Sequence, residues 1–432
     1  MPIMALIQVN QHRRRSRYPG SDRPAGARRP GGPAERGGTA MAPIPRLRAY
    51  EGPAVLSYGF RPFFLLASLY TGLAVLAWLP MFGGDLALPT AFAARDWHVH
   101  EMLYGFVAAV VAGFLLTAVP NWTGRLPLQG TPLLVLVLAW VVGRLAVGLS
   151  ALTGWLPAAL ADLSFLALLT AAVAREILAG RNWRNLKVLG VLVLLLGGNA
   201  LFHAEAHLSG IAAHGTRVGI AASLALVMLI GGRIVPSFTR NWLARENPGR
   251  LPAPADRFDA VALVSAAVAL AAWVAVPEGP WTGAALLAAG LLQAVRLARW
   301  AGDRTWRDRL VLILHVAYGF VPLGFVLVGL AALGTLPAGA GIHAWTGGAI
   351  GVMTLAVMSR ASLGHTGRPL AASPAVQAVY ALVVASVLAR VCASVHPAWF
   401  GVLLPIAGTL WAAAFLGFAA AYWTVLTRPR LK

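Results

Sequence analysis

Long apolar runs, broken by short stretches of Pro, Gly and charge, recur from residue 62 to residue 425. Each run is long enough to cross a hydrocarbon core about 30 Å thick as an α-helix. The pattern predicts twelve spans, at residues 62–79, 98–119, 131–149, 155–173, 186–208, 218–235, 258–276, 281–294, 310–333, 345–358, 373–395 and 400–425. No run shows the strict alternation of a strand, so the expected fold is an all-α polytopic membrane protein, a bundle of about twelve transmembrane helices.

Arginines set the expected orientation. They crowd the N-terminal arm, the loops around 175–187, 240–257 and 296–309, residues 360 and 368, and the C-terminal tail. The alternate loops hold two, Arg95 and Arg217. The positive-inside rule places both termini in the cytoplasm. The arm, residues 1–55, is rich in Arg, Pro and Gly and reads as disordered, and residues 56–432 read as a single membrane domain. The arm has no apolar core of a secretory signal.

Composition agrees. Of 432 residues 58% are apolar and 12% charged, with mean hydropathy +0.71, where a soluble domain carries about a quarter charged residues. The net charge of +20 belongs to loops and tails, so it argues for lipid contact and against nucleic acid. A single cysteine, Cys392, excludes an internal disulfide or a thiolate cluster, and leaves His, Met, Glu, Asp or Tyr as metal ligands.

The histidines supply those ligands. His98 and His100 open the second span in WHVHEM (97–102), His203 and His207 close the fifth, and His343 opens the tenth. Threading the chain through the membrane brings all five to the outer third of the bilayer. His203 and His207, four residues apart, share a helix face and suit two ligands of one metal, or one ligand with a hydrogen-bonding second. His98 and His100, two apart, point roughly 200° away from each other. A regular helix puts Glu101 and Met102 with His98, and Tyr104 with His100. Imidazoles at such sites suit haem iron, copper or zinc. If the metals are haem iron and copper, iron would fall on His98 or His100 with His343, and copper or a second haem on His203 and His207. Tyr104 and Glu101 would orient ligands or move protons, and Arg233 would either snorkel to the headgroups or clamp propionates or phosphates. His315, alone near the cytoplasmic end of the ninth span, reads as a second-cofactor ligand, a proton relay or a packed polar residue. Trp97 reads as an interfacial residue, and His214, His365 and His396 as loop residues. Asp162 and Glu205 are carboxylates toward span ends.

Five segments together resemble the NnrS family: GFRPFF (59–64), WHVHEMLYGFVAAVVAGFLLTAVPNWTGR (97–125), GGRIVPSFTRNWL (231–243), LHVAYGFVPLG (314–324) and HAWTGGAIGVMTLAVMSRASLGHTGRPL (343–370). The resemblance runs from about residue 55 to 425. It implies a bacterial inner-membrane protein that binds haem and copper and takes part in denitrification and in protection against nitric oxide and nitrosative stress. Nitric oxide or a similar gas, the lipid bilayer and a redox donor are the expected partners; a haem-dependent oxidoreductase acting on nitric oxide is one expected role, and binding or sensing the gas or maintaining a metal are the others. The alternative from the residues alone is a multi-pass transporter or channel with a histidine-lined proton or metal path. A transporter often shows repeated halves and a site at the midplane; this chain shows no clear repeat, and its ionisable cluster lies near one face.

Overall fold

The structure, a computed structural model, describes residues 50–431. Of the basic arm expected over 1–55, residues 1–49 lie outside the described residues. No strand occurs among the described residues, and twelve helices are long and apolar enough to cross a membrane. They are α1 (Phe60–Gly83), α2 (Ala94–Thr123), α3 (Thr131–Gly148), α4 (Trp155–Ala179), α5 (Trp183–Ser209), α6 (His214–Glu246), α7 (Arg257–Ala275), α8 (Pro280–Arg304), α9 (Arg309–Ala332), α10 (Ala338–His365), α11 (Pro374–Val395) and α12 (Pro397–Thr427). The protein is a multi-pass membrane protein. Large apolar side chains such as Leu73, Leu138, Val264, Leu291 and Val402 remain exposed on the bundle, as lipid-facing positions require.

Helices adjacent in sequence pack against each other, notably α3 with α4, α5 with α6, α8 with α9 and α11 with α12, and α1 packs on α12. In lipid such contacts rest on close backbone approach and polar ties rather than on expulsion of water. Gly72 faces Leu416 and Ala412 across the α1–α12 contact, where a Cβ would come within 2.7 Å of Leu416. The even number of spans returns the chain to its starting side. There Arg61 donates to the carbonyls of Leu426 (3.0 Å) and Arg428 (2.6 Å), capping the last turn of α12. This side is called the terminal end below, and the other the distal end. α2 is the central helix: 78% of its apolar window is buried, against 28% for α7 at the periphery.

Several helices extend past the limits expected from their apolar runs. The eighth span, expected at 281–294, runs to Arg304, and the tenth begins at Ala338 rather than 345. His214 therefore starts α6 and His365 ends α10, where loops were expected. His365 is held by Tyr58 and Phe60, with ring centroids 6.0 and 5.7 Å away. His396, the residue after α11, does lie in a connection.

Three helices widen into π-turns, at Glu101–Val107 in α2, Val227–Gly231 in α6 and Ala344–Val352 in α10. A π-turn breaks the regular i→i−4 ladder and is frequent at functional sites. Neighbouring side chains bond carbonyls within two of these turns. Trp140 donates to Gly105 (2.9 Å), and Arg296 donates to Met228 (3.2 Å). The turns in α2 and α10 begin directly after the histidines at 98, 100 and 343.

Candidate metal and cofactor sites

α2 enters the bundle at its distal end and presents two different surfaces within one turn. His98 faces an apolar cavity shared with α1, α6, α10, α11 and α12, while His100 is fully buried on the side of α4 and α5. The two-residue spacing on a helix produces this divergence.

On the His100 side, five helices contribute to one buried polar network. His100 Nδ1 is 2.9 Å from Glu101 Oε1, and since a carboxylate accepts, Nδ1 carries the proton and donates. Glu101 Oε2 accepts from Tyr70 Oη of α1 and from Arg144 of α3, the latter at 2.5 Å. The same guanidinium donates to Asp162 Oδ1 of α4. Asp162 Oδ2 accepts from Asn199 Nδ2 of α5 (2.7 Å) and lies 3.1 Å from His203 Nε2. With its proton on Nδ1, His100 has a lone pair on Nε2, yet that atom faces two acceptors, Asn199 Oδ1 at 3.0 Å and Asp162 Oδ2 at 3.2 Å. Three acceptor atoms thus converge with nothing to donate among them. A cation resolves the conflict, either a second proton on His100 or a metal ion. The charge balance points the same way, since two buried carboxylates share a single guanidinium. Ligand atoms of His100, Asp162 and His203 all lie within 4.8 Å of one another, a donor set of two imidazoles and a carboxylate that suits copper, zinc or iron. Glu101 behind His100 is the outer partner that metal-bound imidazoles ordinarily have.

Glu101 was expected on the face of His98. It instead turns to His100, because the wide π-turn starts at this residue and shifts the phase of the helix. Met102 does stay with His98 and lines the cavity. Tyr104 lies beside His100, ring centroids 5.5 Å apart, but its hydroxyl donates to Gly215 O at 2.7 Å. Gly198 and Gly219 leave room for that hydroxyl; a Cβ on either would approach it within 2.8 Å and 2.5 Å.

His207 stands outside the group formed by His100, Asp162 and His203. Its ring stacks on Trp155, centroids 4.2 Å apart, and it lines a small distal recess with His203, Phe92 and Ser150. Glu205, between them, accepts from His214 Nδ1 and from the main chain of Gly215, both at 2.8 Å.

The His98 cavity has about 970 Å³ of space between and beside its walls, part of it continuous with the surface. The lining is apolar, with Val75, Phe106, Ile220, Val387 and Trp411 among it, and Gly347 and Gly408 flatten its walls. His98 stacks on Trp78 (centroids 4.1 Å apart), and its Nδ1 is buried with no hydrogen-bond partner. His343 donates from Nδ1 to Gly339 O at 2.7 Å, which leaves its Nε2 lone pair free. Trp97, expected at the interface, is buried in the distal packing around Trp78 and Val147, because α2 begins three residues before it and carries it into the bundle.

Two expected site residues lie elsewhere. Arg233 is exposed toward the terminal end and donates to Asn185 (3.1 Å); it lines neither cavity. His315 sits in the terminal half of α9, bonded through Nε2 to Thr239 Oγ1 (2.8 Å) and packed on Gly302. The expectations also lacked Arg144 and Tyr70, and noted Asp162 only as a carboxylate. A charged residue inside an apolar run was the available signal: Arg144 in VLAWVVGRLAVG and Asp162 in PAALADLSFLAL.

The sequence model of the NnrS protein family matches residues 54–430. The chain belongs to the NnrS family, and its buried His–Asp–His group fits a metal-binding membrane protein. No curated protein matches it.

Proposed function

We propose that this protein is a haem- and copper-binding protein of the bacterial inner membrane that handles nitric oxide. The observation that carries this reading is the division of the distal histidines between two unlike sites. His98 and His343 face an apolar cavity with open coordinating positions; they are the residues offered to the iron of a porphyrin. His100, Asp162 and His203 form a compact, fully buried group matched to a single ion, which we assign to copper. When bound, an iron porphyrin supplies reversible capture of a diatomic gas and one-electron chemistry.

The chain's own residues supply the rest. Apolar walls of the cavity admit a neutral molecule from lipid and exclude bulk water. Glu101 fixes the tautomer of His100, and Tyr70, Glu101 and His100 form a hydrogen-bonded set able to hold a proton between the two sites. On the orientation expected from the arginine distribution, with both termini in the cytoplasm, the distal sites would face outward. Turnover of nitric oxide would draw electrons from a separate redox donor.

Optical titration of the purified, reduced protein with nitric oxide tests the reading. A Soret band that shifts on addition, and is lost in His98→Ala or His343→Ala, is expected. A folded protein that takes up neither haem nor copper would overturn it and put transport through a histidine-lined path first.

A further inference from the structure

Among the described residues lining the His98–His343 cavity, Arg390 is the one charged side chain. It stands near the distal end of α11, on the same level as the two imidazoles. Its guanidinium donates to Ser394 Oγ at 2.9 Å and lies 5.7 Å from the ring centroid of Phe400. No carboxylate among the described residues comes within ion-pair distance of it, whereas Arg144 bridges Glu101 and Asp162 and Arg296 pairs with Asp259.

The other polar groups of the cavity wall are occupied. Thr216, Thr346 and Ser386 each donate to a main-chain carbonyl, those of Ala212, Ile342 and Ala407. What the wall offers a ligand is therefore two imidazoles, one uncompensated cation and apolar surface. A guanidinium does not shed its proton, and half-buried Arg390 carries its charge beside apolar surface with no counter-charge from the chain. A planar fork of donors is also the geometry that receives a carboxylate.

We propose that the ligand of this cavity carries an anionic group, a carboxylate if the ligand is a porphyrin, and that Arg390 is the residue that holds it. The proposal rests on the reading of the cavity as a porphyrin site. It assigns to Arg390 the role expected from sequence for Arg233, and it fixes which edge of the ligand faces α11. A guanidinium merely reaching for the headgroups would have no preference for one ligand edge over another.

The test uses the full chain in detergent, stripped of cofactor, with two probes: iron protoporphyrin IX and its dimethyl ester, which lacks free carboxylates. Wild-type protein is expected to bind the free acid at least tenfold more tightly than the ester. Arg390→Ala is expected to abolish that preference while leaving affinity for the ester unchanged, which also shows that the variant is folded. Equal affinity of wild type for both probes would overturn the role of Arg390 while leaving the cavity reading intact, and it does so even if the variant does not fold. A preference that survives in Arg390→Ala would overturn it as well. Failure of wild type to bind either probe would overturn the cavity reading and this proposal together.

Discussion

His100 Nε2 and Asp162 Oδ2 face each other at 3.2 Å across the α2–α4 contact, and the proton on the opposite nitrogen of His100 is already given to Glu101. This relationship makes the site a receptor for positive charge. Asp162→Asn removes one of the two buried carboxylates and leaves Glu101 balanced by Arg144. The variant is expected to fold, to lose at least tenfold in copper content, and to lose the rise in melting temperature that copper gives wild type by mass action. Metal analysis and thermal melts with and without copper check this.

Arg144 is the complementary case. It bridges Glu101 and Asp162 deep in the bundle, and Arg144→Met would leave two buried carboxylates with no cation. Breaking a buried ion pair from one side costs about 3–5 kcal/mol. Yield of folded protein should fall sharply, and copper should partly restore it by supplying the missing charge.

Gly105 lies in the π-turn of α2, directly over that bridge. A Cβ there would come within 2.8 Å of both Arg144 Nη1 and Glu101 Oε2. Gly105→Ala is expected to cost about 1–3 kcal/mol through overpacking and to weaken copper retention. Gly190→Ala, where a Cβ meets nothing within 4 Å, is the control: a gain of about 0.5–1 kcal/mol from helix propensity is expected, with copper unchanged.

His207, stacked on Trp155, lines a recess that reaches His203 at the edge of the buried group. In His207→Ala, equilibrium copper content should stay within twofold of wild type, while the rate of copper removal by an added chelator should change. A loss of equilibrium copper matching that of Asp162→Asn would make His207 a ligand instead.

The fold was legible because membrane spans are written in the simplest code a sequence has, apolar length between breaks. The threading of the chain also brought the histidines to one end. What the pattern did not reveal was which histidine meets which partner. Regular helix geometry separated His98 from His100 but put Glu101 with the wrong one, since nothing in EMLYGFV announces a π-turn. The i,i+4 spacing of His203 and His207 suggested a shared ion, but Asp162 from another helix and Trp155 from the same one divide the pair. Arg144 and Arg390 were overlooked inside apolar runs, although a lone arginine at that depth is itself a signal. Arg233, singled out within a loop-proximal motif, serves the exposed terminal end.

The central claim is that the distal histidines build two independent sites, and metal and haem content of two single variants tests it most directly. His343→Ala should lose haem and retain copper, and Asp162→Asn should lose copper and retain haem, each measured by optical spectrum and total iron and copper on the same folded sample. Loss of both cofactors in each variant, or of neither, would contradict the division of α2 into a haem face and a copper face.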